Sequence, residues 1–303
     1  MQVARTEEQE ELAATVRGLL ARRSDSAAVR TAVETPDGYD TSLWQALCEQ
    51  VGVAALPIPE EYDGFGATLV ETAVVLEELG QNLTPAPLLA NTLAAVDLLL
   101  HGTEAERKER LPGLAAGAVV PFTLGRVVLE PAERTGAMDQ TLRLGLASQP
   151  VGPAADVRDV SVALVSALQV GAMQRGLDMT VAYAKERVQF GRPIGSFQAL
   201  KHRMADMLVL LEASRSASWG ATSAAATYLA DPTDAHRASL RRLAAVAGSY
   251  CSDALDRIAG ETVQLHGGIA ITWEHDAQLV FKRAHALAQL FGQPHQHRAL
   301  IEL

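Results

Sequence analysis

Arg187, Phe190, Phe197 and Gln198 have the types and spacing to hold a nucleotide. Arg187 falls at a predicted helix end, before the loop Gly191-Arg192-Pro193, where a guanidinium fork can pair with a pyrophosphate. Phe190 and Phe197 offer flat apolar surface to an adenine or a ribose. Gln198 falls in the first turn of the next helix, where free N–H groups favour an anion. Further on, Gly267-Gly268 lets a backbone approach a ligand closely, and Gln264 lies one turn earlier. The same residues also read as an arginine-capped helix end, two core phenylalanines and a glycine helix stop. Spacing alone leaves both readings open.

The elements that must position these residues are mostly helical. Apolar residues recur at helical spacing from Val160 through Leu164, Ala167, Leu168 and Gly171 to Tyr183. A second helix is predicted from Phe197 to Leu229, with Ser196 as N-cap. Asp231-Pro232-Thr233-Asp234 stops it, and Asp234 is placed to cap a third helix that runs to about Leu265. A fourth starts after Thr272 and ends near Phe291, with Gly292 and Pro294 beyond it. Four long helices with short joints predict an antiparallel four-helix bundle over 156–303.

Residues 1–117 read as an N-terminal helical domain, cut by turn signals such as Thr35-Pro36-Asp37-Gly38 and Leu56-Pro57-Ile58-Pro59. Residues 118–155 differ. Val119–Leu124 and Arg126–Leu129 look extended, and Leu142–Leu146 alternates weakly. The segment has room for three or four strands at most, too few to close a barrel or a sandwich. The fold class is therefore mainly α, with a truncated middle β segment.

Composition bounds the partners. The chain has 303 residues, 48% of them apolar, and a net charge of −10. No basic stripe of the kind nucleic acid requires is present. The start, Met1 to Glu11, is acidic rather than basic and apolar, and the longest apolar stretch, near Leu93–Leu100, is too short to span a bilayer. These features predict a cytoplasmic protein without nucleic-acid or membrane partners. Cys48 and Cys251 read as small buried residues, not a disulfide. The histidines show no metal-ligand spacing; His295 and His297 are expected to be solvated and His266 buried. Glu274 and His275 read as capping and surface residues.

Three segments resemble the acyl-CoA dehydrogenase family: 186–207, containing Glu186-Arg187-Val188-Gln189-Phe190-Gly191-Arg192-Pro193; 263–274, containing Gln264-Leu265-His266-Gly267-Gly268; and 56–66, containing Pro59-Glu60-Glu61-Tyr62-Asp63-Gly64. The resemblance implies that the positions of Arg187, Phe190, Gln198, Gln264 and Gly268 reach the diphosphate and adenosine end of a neighbouring subunit's FAD; Phe197 and Gly267, read from their chemistry above, complete the expected cofactor-binding set. The neighbour's own middle β-domain then holds the isoalloxazine ring.

The resemblance also implies what is missing. The family's catalytic glutamate stands at one of two positions, which correspond here to Phe291 and Ser161. Neither side chain can take a proton from a carbon acid, so no catalytic residue is assigned. Asp159 lies two residues from Ser161 but about 200° around the helix. The β-domain that would enclose a flavin ring does not fit in 118–155; Val127 to Pro131 and on through Asp139 to Arg143 looks like one or two surviving strands.

Both losses point to a degenerate subunit that completes the FAD site of a full-length paralogue. The expected assembly is a heterotetramer in which the partner carries the acyl-CoA, passes electrons to an external acceptor and takes a bulky thioester such as a steroid side-chain CoA. The alternatives are a self-sufficient homo-oligomeric enzyme with an unusual base such as Asp159, or a scaffold without flavin. Trp44 is expected in the core, and Trp219 at a subunit interface.

Overall fold

The structure is a computed structural model, and it describes residues 5–130, 137–151 and 154–301. Pro131, expected at the end of a surviving strand, lies outside the described residues, as does the start of the acidic stretch.

The helices begin where short polar side chains can satisfy orphan N–H groups. Helix α1 (Glu7–Arg23) starts with a reciprocal cap between Thr6 and Gln9. Asp25 caps α2 (Ser26–Glu34) and Asp40 caps α3 (Thr41–Ala46). Thr68 with Glu71 and Thr103 with Glu106 form the same reciprocal cap on α4 (Leu69–Gln81) and α6 (Glu104–Ala115). Between them α5 (Leu88–His101) is buried on nearly all sides. Trp44 is in the core as expected, and its indole Nε1 donates to the Gly117 carbonyl at 2.9 Å.

The C-terminal half is built from α7 (Ala155–Glu186), α8 (Gln198–Ala230), α9 (Asp234–His266) and α10 (Ala277–Leu290). Helix α7 is the central one and packs against α9, α8 and α4. Its length and composition would let it cross a membrane, so it is a longer apolar segment than Leu93–Leu100; however, 89% of its apolar window is buried inside the fold, as in the core helix of a soluble bundle. Gly80 and Gly171 let α4 and α7 approach closely. A Cβ on Gly171 would overlap the Glu77 carbonyl, and one on Gly80 the Leu168 carbonyl. Gly171→Ala is expected to cost about 1–3 kcal/mol through this overpacking, read as a lowered unfolding midpoint in denaturant.

Several local expectations need correction. Ser196 does not cap α8: Phe197 holds the cap position, and the Ser196 hydroxyl donates to the Pro193 carbonyl at 2.7 Å. Asp234 is the first residue of α9, and the Thr233 hydroxyl one position earlier accepts from the His236 N–H. Pro294 does not only follow a stop; it opens a short helix, α11 (Pro294–Arg298). His297 on α11 is buried rather than solvated. Its ring packs over Gly248, where a Cβ would come within 3.0 Å of it, and its Nε2 donates to the Gly292 carbonyl.

The middle segment forms one antiparallel hairpin, β1 (Phe122–Leu129) and β2 (Leu144–Val151), with Val127 opposite Leu146 and Leu129 opposite Leu144. The two extended stretches predicted before residue 130 join into one strand through Gly125, whose φ of +60° absorbs a bulge. The hairpin is tied to the bundle by an ion pair with no solvent exposure. Arg283 Nε on α10 donates to Asp139 at 2.7 Å, and Arg283 Nη2 donates to the Thr141 carbonyl at 3.1 Å.

Candidate functional site

The ends of three long helices converge at one end of the bundle. Tyr183, one turn before the end of α7, stacks on His266 at the end of α9, with ring centroids 4.6 Å apart. Arg203 near the start of α8 pairs with Glu261 of α9 at 2.5 Å. These contacts set the residues that follow each helix beside one another. Arg187 caps α7 with an extended backbone, and its exposed side chain has no hydrogen bond or ion pair among the described residues. Gln198 opens α8, with its amide 2.7 Å from His202 Nε2. Gln264 is exposed on the last turn of α9, and Gly267 ends that helix with φ +65°. Nothing stands within 4 Å of where a Cβ on Gly267 or Gly268 would be, so this backbone is open to a ligand.

Between α7 and α8 the chain makes a small hairpin, β3 (Val188–Gln189) and β4 (Arg192–Pro193), turning at Phe190 (φ +53°) and Gly191 (φ +76°). Two successive positive φ angles match the twist of a two-residue hairpin. A phenylalanine in that region is strained by about 1–2 kcal/mol, a cost usually tolerated where the side chain has a task. The Phe190 ring is 91% exposed. Phe197 meets it edge-on at 6.1 Å, but the Arg192 guanidinium covers one Phe197 face at 4.1 Å. Phe190 is therefore the free aromatic surface, and Phe197 mainly supports it.

The two positions expected to hold a base make other contacts. Ser161 is buried, and its hydroxyl donates to the Val157 carbonyl at 2.7 Å. Phe291 is buried, and its carbonyl accepts from Arg158 at 3.0 Å. Asp159 is more interesting than its sequence position suggests. It lines a groove of about 780 Å³ at the opposite end of α7, together with Arg158, Arg237, Arg241 and Arg242. Burial pushes its carboxyl up to about 6, against the pull of Arg158, Arg241 and Arg237. At 1.5 Å per helical residue, Asp159 lies roughly 40 Å from Arg187. The groove and the Arg187 set therefore lie at opposite ends of α7.

Glu274 is exposed as expected. His275 is half-buried rather than a surface residue, with its ring 4.6 Å from His266 and its Nδ1 accepting from the Ala277 N–H. His266 is buried as expected; its Nδ1 meets the Thr262 carbonyl at 2.7 Å, and its Nε2 has no hydrogen-bond partner. Trp219 lines a second groove, beside the ion pairs of Glu77 and Glu78. Sequence reasoning missed the arginine groove and the Arg283 pair. The second left a trace: Arg283 sits on the apolar stripe formed by Leu279, Val280 and Leu287. A charge at a core position of a helix signals a buried partner.

Two helical blocks joined by a short β segment are the fold of an acyl-CoA dehydrogenase. Family models for the acyl-CoA dehydrogenase N-terminal domain and C-terminal domain match residues 6–118 and 158–302, and the chain belongs to this family. It is 43% identical to the acyl-CoA dehydrogenase IpdE2 of Mycolicibacterium smegmatis over 98% of each chain. Among solved structures it superposes on the Tcur3481-Tcur3483 steroid ACAD with a TM-score of 0.82 at 24% identity, covering 97% of this chain and 96% of that one. It superposes equally well, at 22% identity and covering 99% and 98%, on a chain of the ChsE4-ChsE5 complex from Mycobacterium tuberculosis.

FAD is the family's cofactor, and the residues present fit one end of it. Arg187, Phe190, Gln198, Gln264 and the open Gly267-Gly268 backbone offer what a diphosphate and an adenosine need. Among the described residues, the two strands of the middle segment offer no pocket for the ring.

Proposed function

We propose that this chain is the non-catalytic subunit of a hetero-oligomeric acyl-CoA dehydrogenase in the cytoplasm, and that it completes the FAD site of a full-length paralogue. The observation that carries the reading is that Arg187, Phe190, Gln198, Gln264 and Gly267-Gly268 are exposed at the same end of the bundle, with no ring pocket beside them among the described residues. When bound, FAD accepts the hydride removed from the acyl thioester. Arg187 would pair with its diphosphate, and Phe190 would cover its adenosine. The partner would supply the base, the ring pocket and the route to an electron acceptor. The structural likeness to a two-component complex and to a steroid ACAD supports a heterotetramer acting on a bulky, steroid-type thioester. Co-expression with the paralogue tests this: one flavin per pair of unlike chains is expected, and one flavin per chain would refute it.

A second reading is favoured by the arginine groove. The side chains of Arg237, Arg241 and Arg242 make no hydrogen bond or ion pair among the described residues, which suits a carrier with several phosphates such as CoA. Asp159, with a carboxyl near neutrality, would then be the base of a self-sufficient enzyme. Asp159→Asn separates the readings. The heteromer predicts turnover within about threefold of wild type. A base at Asp159 predicts a loss of about 10²–10⁴-fold in kcat.

A further inference from the structure

The lending surface needs its parts held at a fixed separation, and a cluster of three rings adjoins it. Tyr183 comes one turn before Arg187, and its carbonyl accepts the Arg187 N–H at 2.9 Å. His266 directly precedes Gly267 and is 3% exposed. The Tyr183 and His266 rings stack at 29°, and His275 packs beside the pair, tilted at 55° to His266 (4.6 Å) and edge-on to Tyr183 (6.5 Å). Thr262, which accepts from His266 Nδ1, is itself tied to α7 through the Gly176 carbonyl at 3.2 Å. Next to His275, Asp276 is held by Ser26, Arg30 and Arg175 at 2.5–2.8 Å. The rings therefore join the end of α7, the end of α9 and the start of α10.

We infer that Tyr183, His266 and His275 are positioning residues that fix Arg187 relative to Gly267-Gly268, and that acid releases them, weakening this chain's grip on a dinucleotide. The inference rests on the half-site reading above.

The charges around the stack set its sign. Burial is the largest influence on His266 and opposes its protonation; the Thr262 and Met179 carbonyls favour it and are outweighed. Burial likewise holds His275 below its usual value, reinforced by His266, Arg175 and Arg30, with Asp276 the opposing group. That carboxylate is already shared among three donors. Both imidazoles are thus harder to protonate in the stack than outside it, so protons favour the opened form. The stack's contribution is full above about pH 6.5 and is lost as pH falls from there.

The test measures FAD affinity of the purified complex at about pH 7.5 and about pH 5.5, with amide hydrogen exchange of residues 264–275 in the full chain over the same range. Wild type is expected to bind FAD about tenfold more weakly in acid, with faster exchange in that segment. In the double variant His266→Phe, His275→Phe, rings remain but cannot protonate, and the ratio between the two pH values should fall below about threefold. If that variant does not fold, His275→Phe alone, at the half-buried position, should reduce the ratio and the exchange change. An acid effect that persists undiminished in these variants, or no acid effect in wild type, overturns the inference. The half-site reading would still stand if Arg187→Ala weakens FAD binding at pH 7.5. No effect of Arg187→Ala would instead remove the half-site reading, while the exchange data would still report on the stack.

Discussion

Replacing Arg187 by alanine in the assembled complex is expected to weaken FAD binding by about one to two orders of magnitude. The side chain is exposed and makes no hydrogen bond or ion pair within the described chain, so its removal takes away no support from the fold. Its loss should therefore appear in flavin content and not in the unfolding midpoint. A charge-assisted hydrogen bond contributes about 1.5–3 kcal/mol, and each 1.4 kcal/mol is tenfold in affinity. Arg187→Lys should recover only part of it, because an ammonium cannot reproduce the planar fork that meets two phosphate oxygens. Equilibrium dialysis with FAD, or flavin absorbance after gel filtration, measures the effect directly.

The second large effect is on stability. Asp139→Ala or Arg283→Met leaves one member of a fully buried ion pair without its partner. Removing one partner of such a pair costs about 3–5 kcal/mol, which corresponds to a fall in Tm of roughly 5–15 °C. The double variant Asp139→Ala, Arg283→Met should regain much of that loss, since no uncompensated charge remains. The pair joins α10 to a hairpin that is otherwise held by Phe122, Leu124 and Leu129 in the core, and a two-stranded sheet is marginal alone. Hydrogen exchange across β1 and β2 should therefore rise in the single variants before the bundle itself unfolds.

The helical frame was legible because its signals are local. The apolar period from Val160 to Tyr183 marks α7, and Asp231-Pro232-Thr233-Asp234 marks the break between α8 and α9. The segment 118–155, with room for three or four strands at most, shows two among the described residues, too few to close a barrel. Caps were read one position away at Ser196 and Asp234, because neighbouring polar residues compete for the same N–H groups and only the backbone decides. The nucleotide-directed residues could be picked out by type, yet nothing local shows that Arg192 covers Phe197 or that Tyr183 meets His266. Those contacts come from how long helices cross. The same is true of Asp159: apart from the adjacent Arg158, the arginines around it come from more than seventy positions further along the chain, and its burial follows from packing between α7 and α9. His297, near the end of the chain, reads as solvated until Gly248 is seen to leave room for its ring.

The central claim is that this chain carries half of a flavin site and depends on another molecule for the rest. Titrating FAD into the purified chain alone, and then into an equimolar mixture with the full-length paralogue, tests it most directly. The account predicts no saturable binding to the chain by itself and one tightly held flavin per mixed pair. Stoichiometric FAD retained by the isolated chain, together with dehydrogenation of an acyl thioester, would contradict it.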